Sequence, residues 1–433
     1  MYIVSGSGKR HPFRQPEQVK QMEGTRYLIV GGGLAGGSAV EAIRSRDHEG
    51  RIVLVSDERH LPYDRVALSK GYLMGKLRQE SLFLQDTEFY EQQHVEVLLG
   101  RRAQRLDTSA QAVFLDDGRE LKYERLLLAT GGRVRHLPIQ GSDLPGIYYL
   151  RTIEDSDAIR MAMSSARRVV VIGGGFIGCE IAAACMQSGL DTTIIEACPS
   201  LLSLPLDPET AQWITKYFIE QGVHVLTNEA AARLVESKGR VAAVETKTEK
   251  TIPADFVAVG IGITPNIELA KEAGLPVDNG VIVDEQLRVD NTSVYAAGDV
   301  ASFYSPVFDK HLRLEHYDAA AKHGKVAGAN MTGAQERFIE LPHFFSSMFK
   351  LRIEVWGDAT QRDVLVRRGP LELSDKGGFA QFYLSQGRVQ AYLSVNRPYK
   401  EAESSKNLIL SRQPIKDTSL LSNESVDLSA VAK

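Results

Sequence analysis

The sequence predicts an α/β protein built around two Rossmann-like dinucleotide-binding domains, followed by an α+β C-terminal domain. Three observations carry this. An apolar run leads into a glycine-rich turn and a helical pattern near the start of the chain. The same succession returns in the middle, and alternating strand-like segments follow near the end.

In the first unit, Tyr27-Leu-Ile-Val leads into Gly31-Gly-Gly33-Leu34-Ala35-Gly36 and the helical pattern SAVEAIRS. A second apolar strand, Arg51-Ile-Val-Leu-Val-Ser, then ends at Asp57-Glu58. Gly31 permits the turn, Gly33 lets the backbone approach a pyrophosphate, and Gly36 lets the helix pack on the strand. Leu34 and Ala35 open the helix, where free amides and the dipole favour anions. Asp57 or Glu58, about 20 residues on, is placed to accept hydrogen bonds from a ribose.

The second unit runs from Arg168-Val-Val-Val-Ile through Gly173-Gly-Gly175-Phe176-Ile177-Gly178 and the helix CEIAAACMQSG to the strand TTIIE, ending at Glu196. One such glycine turn is weak evidence. Two, each with a strand before, a helix after and an acid at the right distance, predict two dinucleotide sites. The segment after Glu196, ACPSLLSLPLD, contains no arginine or lysine. A 2′-phosphate there would meet a carboxylate with nothing to neutralise it. Two like charges about 4 Å apart at intermediate dielectric cost on the order of 4 kcal/mol, an upper figure because solvent screens them. The second site is therefore expected to prefer NADH to NADPH.

At 433 residues the chain is too long for one simple core and fits two or three domains. Its net charge of −4 argues against general nucleic-acid binding. No apolar stretch approaches the roughly 20 residues that span a bilayer. Residues 1–23 are interrupted by charges and prolines, lack the apolar core of a secretory signal, and are expected to form an arm on a cytoplasmic protein. The three cysteines, Cys179, Cys185 and Cys198, are too few for a disulfide scaffold and form no Cys-x-x-Cys pair. They read as small packing residues, with a reactive thiol as the alternative. No metal site is expected.

Further strings resemble one family. Leu61-Pro-Tyr-Asp-Arg65-Val-Ala-Leu-Ser-Lys70 resembles the PYxRPPLSK segment of the FAD-dependent NADH:ferredoxin reductases of the putidaredoxin-reductase and dioxygenase-reductase type, to which apoptosis-inducing factor is related. Tyr123-Glu-Arg-Leu-Leu-Leu-Ala129-Thr130-Gly131-Gly is similar to the strand closing that family's first flavin half. Val259-Gly260-Ile261-Gly262-Ile-Thr-Pro-Asn resembles the strand that ends its NAD domain. Thr292-Ser-Val-Tyr-Ala-Ala-Gly-Asp299-Val looks like its second FAD motif, whose aspartate binds the ribityl hydroxyls. Arg313-Leu-Glu315-His316-Tyr317 is similar to the segment beside the flavin ring and nicotinamide.

The resemblance runs in order from about Tyr27 to Arg397. It implies a glutathione-reductase-type architecture: an FAD domain in two parts, 24–140 and 263–335, around an NAD domain at 141–262, then an interface domain at 336–433. It implies FAD and NADH as cofactors and places a lysine–glutamate pair, here Lys70 and Glu180, beside the flavin's hydride-accepting nitrogen. It assigns Arg65 to the FAD phosphates or ring edge, and Glu315 and His316 to the lining, with His316 as a possible proton donor. Against these stand ordinary readings: a surface lysine, an acid favoured by a helix N-terminus, solvated helix-start residues. The chain departs from the family at Val66 and Ala67, where two prolines are expected and the turn should loosen. It departs again at Pro342-His-Phe-Phe345-Ser, where Phe345 replaces an indole facing the nicotinamide and acceptor side.

Disulfide-reducing relatives carry cysteines early in the flavin domain, but Arg59 to Lys76 contains none. Electrons are then expected to leave the flavin directly, to a one-electron acceptor such as ferredoxin or rubredoxin. The alternatives are a peroxide-forming NADH oxidase or quinone reductase, and an NADH-sensing flavoprotein. A small acidic iron–sulfur partner would find basic clusters at Arg101-Arg102, Arg133 with Arg135, and Lys310 with Arg313. A monomer or homodimer is expected.

Overall fold

The computed structural model describes residues 24–290, 292–360, 362–373 and 377–431; the expected arm at 1–23 lies outside the described residues. The first glycine unit lies in a parallel sheet of strands Val95–Leu99, Ile52–Ser56, Thr25–Val30 and Glu120–Leu128, in that spatial order. Val294–Ala296 returns from far along the chain and adds a parallel strand beside Glu120–Leu128. The Tyr27–Val30 run is buried throughout, as a strand covered on both faces requires.

The second glycine unit lies in another parallel sheet, ordered His224–Leu226, Asp191–Ile195, Arg168–Ile172, Phe256–Val259, Ile147–Tyr149. Between the sheets the chain leaves through Gly132–Val134 and comes back through Ile263–Pro265. These two strands pair antiparallel, so the way out and the way back form one ribbon. Asn266 closes the junction: its Nδ2 donates to the Thr130 carbonyl at 2.9 Å, and Thr130 Oγ1 donates to the Asn266 carbonyl at 2.8 Å.

The last part of the chain is an antiparallel sheet ordered His343–Met348, Leu351–Gly357, Arg388–Val395, Ala380–Ser385, Val364–Arg368. Helix Tyr399–Ser411 packs against it. This sheet is tied to the second dinucleotide unit by buried polar groups. Asp207, fully buried, caps helix Pro208–Glu220 by accepting from the Thr210 amide at 3.0 Å. It also accepts from the Tyr383 hydroxyl at 2.8 Å, and Trp213 meets Phe379 edge-on at 5.0 Å.

Candidate active site

The two glycine turns are built alike. Gly31 holds φ +126°, and a Cβ there would lie 2.0 Å from the Ala129 carbonyl oxygen. A Cβ at Gly36 would lie 2.1 Å from the Gly31 oxygen. Both positions therefore exclude any side chain. Gly33 differs, since a Cβ there would meet nothing within 4 Å. Its space is a cradle open at the N-terminus of helix Leu34–Arg44. In the second unit Gly173 (φ +104°), Gly178 and Gly175 repeat the pattern, with close approaches of 2.4 Å and 2.0 Å at the first two and open space at Gly175. Each cradle faces a helix start, opened by Leu34 and Ala35 or by Phe176 and Ile177, and fits an anionic pyrophosphate. Gly260 packs on the second turn, where a Cβ would lie 2.9 Å from the Gly178 nitrogen; Ile261 and Gly262 continue the edge of that cleft.

The acids after the second strands differ. Amides of Gly31 and Gly173 donate to the carbonyls of Val55 and Ile195, which makes Ser56 and Glu196 equivalent positions. Glu196 is fixed by backbone: one oxygen accepts from the Gly174 amide at 2.5 Å, the other from the Cys198 amide at 2.6 Å. In the first unit Ser56 stands there, and Asp57 and Glu58 follow one and two residues later. Asp57 lies 3.4 Å from Arg102, and Glu58 is engaged by the Tyr63 hydroxyl at 2.6 Å and by Arg65.

Arg65 also donates to the Tyr63 hydroxyl and to the Arg151 carbonyl, both at 2.7 Å. Burial works against its charge, but the surrounding Tyr63, Glu58 and Asp299 hold it protonated. Arg151, which no sequence feature singled out, reaches Asp299 at 2.9 Å. It also approaches Gly131, where a Cβ would lie 3.2 Å from its guanidinium. Gly298, the residue before Asp299, packs on Ala35 of the first glycine helix. One continuous wall thus joins Ala35, Ala129 to Gly131, Arg65, Arg151 and Asp299.

Lys70 and Glu180 meet. Their ion pair measures 2.7 Å, with the glutamate side chain 4% exposed and the lysine 21%. Glu180 also accepts from the hydroxyls of Ser69 and Ser346, the latter at 2.5 Å. Val66–Ser69 closes as a 3₁₀ turn, with the Lys70 amide donating to Ala67 at 3.0 Å and Asp64 accepting from Val66 at 2.7 Å.

His316 precedes helix Tyr317–Met331, and its Nδ1 is enclosed without a hydrogen-bond partner. Burial pushes its pKa down to about 4, with Asp299 opposing the shift. At neutral pH this favours the uncharged imidazole. Burial raises the Tyr317 phenol, and Glu315 pairs with Arg313 at 2.8 Å.

Phe345 takes the outer face of its strand. On strand His343–Met348, alternation puts Phe344, Ser346 and Met348 on one face and Phe345 on the other. Phe344 is the ring that reaches the cleft, 4.8 Å from Phe176 and 5.1 Å from His316. Phe345 is 40% exposed and points away from Glu180's side.

Most residues of the expected basic clusters stand against acids. Arg101 pairs with Asp117, Arg102 with Asp57, Arg133 with Glu268, Lys310 with Asp358 and Arg313 with Glu315; Arg135 donates to the Ile263 carbonyl. Burial is the main force raising all three thiols, that of Cys185 to about 12, so none is poised as a thiolate. Among the described residues there is no group of three or more candidate metal ligands, and no helix long and apolar enough to cross a membrane.

Residues 25–324 match the family described as pyridine nucleotide-disulphide oxidoreductase, and 343–432 match the reductase C-terminal family. The chain is 36% identical over 388 residues to rhodocoxin reductase of Rhodococcus erythropolis, covering 90% of each. It is 35% identical over 409 residues to a putidaredoxin reductase of Pseudomonas putida, covering 93% of this chain and 96% of the relative. The solved covalent putidaredoxin reductase–putidaredoxin complex matches with a TM-score of 0.89 at 35% identity, over 94% of this chain and 98% of that one.

Proposed function

This chain belongs to the pyridine nucleotide-disulphide oxidoreductase family, and on that premise we propose that it is an FAD-dependent reductase carrying electrons from NADH to a small iron–sulfur protein of the ferredoxin or rubredoxin kind. The observation that carries the proposal is the buried Lys70–Glu180 pair, set where both dinucleotide units and the C-terminal sheet meet, with no cysteine in the segment 59–76 that carries the lysine. A cytoplasmic location is part of the same proposal, with NADH as reductant.

FAD would be held at the Gly31–Gly36 turn, with Asp57 or Glu58, Arg65, Arg151, Ala129 to Gly131, Asp299 and Tyr317 along its length. NADH would be held at the Gly173–Gly178 turn, with Glu196 at the ribose and Gly260 to Gly262 along the cleft. Bound FAD supplies a hydride acceptor that can release electrons singly. The residues supply placement and charge. Lys70 presents an ammonium that stabilises negative charge developing beside it, and Glu180 aims that ammonium. Phe176 and Phe344 form an apolar wall that limits water at the same place. His316, neutral, adds a polar edge without adding charge.

The test is reduction of cytochrome c by NADH with and without an added [2Fe–2S] ferredoxin. The proposal expects fast reduction only with the iron–sulfur protein present. Equal rates without it would point to direct reaction with oxygen or quinones.

A further inference from the structure

Strand His343–Met348 lays one face against helix Phe176–Gln187. On that face Phe344 and Met348 are apolar, as the packing asks, but the position between them is Ser346, 1% exposed. A hydroxyl placed without a partner in such an environment is unfavourable, so a buried serine between two apolar neighbours requires one. Its partner is Glu180: Ser346 Oγ donates to Glu180 Oε1 at 2.5 Å, the same oxygen that Lys70 Nζ meets at 2.7 Å. Ser69 Oγ donates to the other oxygen. Two separated segments, one carrying Ser69 and Lys70 and the other Ser346, converge on the carboxylate of a third, and Ser346 is the C-terminal sheet's contribution.

We infer that Ser346 is a positioning residue, which fixes the Glu180 carboxylate against Lys70 and offsets part of its negative charge. A buried carboxylate is stabilised by each donor it accepts from, and these bonds are stronger when the acceptor is charged. Without the Ser346 hydroxyl, Oε1 keeps Lys70 alone. The carboxylate's charge is then less dispersed, and the ammonium is drawn closer to it. Both changes make the surroundings more negative and so disfavour adding electrons beside the pair. The inference rests on the reading that Lys70 and Glu180 stand beside the flavin.

The experiment is the flavin midpoint potential of the flavin-loaded protein for wild type, Ser346→Ala, Ser346→Thr and Glu180→Gln, with flavin content and thermal midpoint recorded for each. Glu180→Gln removes a negative charge and is expected to raise the potential. Ser346→Ala is expected to lower it by a three- to tenfold shift in the two-electron equilibrium, up to about 30 mV. Ser346→Thr, which keeps the hydroxyl, is expected to recover most of the difference. If the alanine variant fails to load flavin, Ser346→Cys takes its place, with a smaller shift of the same sign expected. A shift with Glu180→Gln but none with Ser346→Ala or Ser346→Cys would overturn the inference and leave the pair's place intact. No shift with any of them would remove the pair from the flavin's side, and the inference with it.

Discussion

Lys70 and Glu180 lie 110 positions apart in sequence (180 − 70) and 2.7 Å apart in space, the lysine from the first dinucleotide unit and the glutamate from the second. The contact makes the two units one electrostatic site. Lys70→Ala should leave Glu180 uncompensated, lower the flavin potential and slow reduction by NADH. A tenfold loss in the two-electron equilibrium corresponds to about 30 mV. Redox titration checks this, and an unchanged potential would reduce the pair to a structural tie.

Gly33 and Gly36 separate binding from folding. A Cβ at Gly33 would meet nothing within 4 Å and its φ of −88° suits any residue, so Gly33→Val should fold with a near-normal thermal midpoint yet purify without flavin. At Gly36 the new Cβ would press on the Gly31 carbonyl at 2.1 Å, so Gly36→Val should damage folding itself. The ratio of flavin absorbance to protein absorbance, beside the thermal midpoints, distinguishes the two. Full flavin in Gly33→Val would mean that the cradle has another occupant.

Glu196 should set the choice of nucleotide. Both its oxygens are held by backbone amides before any ligand arrives, and no basic side chain follows it up to Asp207. Glu196→Ala is expected to bring kcat/KM for NADH and NADPH closer together, chiefly through KM. A wild type that uses both equally would contradict the assignment.

Acid should unfold the protein partly through His323. This residue is fully buried between Phe303 and Phe338, and its Nδ1 accepts from the Gly298 amide at 3.3 Å, which demands an unprotonated nitrogen. Burial pushes its pKa down to about 3, below the ordinary value near 6.5 in the unfolded chain. The unfolded chain therefore takes up the proton first on acidification. This contribution is intact above about pH 6.5 and is lost as pH falls towards 3, at up to about 1.4 kcal/mol per pH unit. His323→Gln, whose amide oxygen can still accept from Gly298, should flatten that acid slope. Urea midpoints at several pH values between 4 and 7 measure it, and an identical slope would rule the histidine out.

What could be read from the sequence follows from what each residue needs. The glycine turns were legible because close backbone approach permits no substitute, and because strand, turn, helix and acid stand next to one another in the chain. Lys70 and Glu180 came from resemblance alone, since nothing local links positions 70 and 180. Arg151 and Ser346 were not legible. One lies in an unremarked turn before helix Ile153–Ser165, and the other sits on a strand whose inward face is known only once Glu180 is in place. The acidic partners of the basic residues were not legible because they are often distant in sequence, as Glu268 is from Arg133.

The central claim is that electrons pass from NADH to a one-electron iron–sulfur acceptor without a thiol. Anaerobic sequential-mixing stopped flow tests it most directly, on a variant with Cys179, Cys185 and Cys198 all replaced by serine or alanine. NADH is mixed first, then a [2Fe–2S] ferredoxin or, in a parallel run, oxygen. The account predicts that reduction by NADH survives and that ferredoxin reoxidises the flavin much faster than oxygen does, with two ferredoxins reduced per NADH. Loss of reoxidation in the cysteine-free protein that still binds flavin, or reoxidation by oxygen as fast as by ferredoxin, would contradict it.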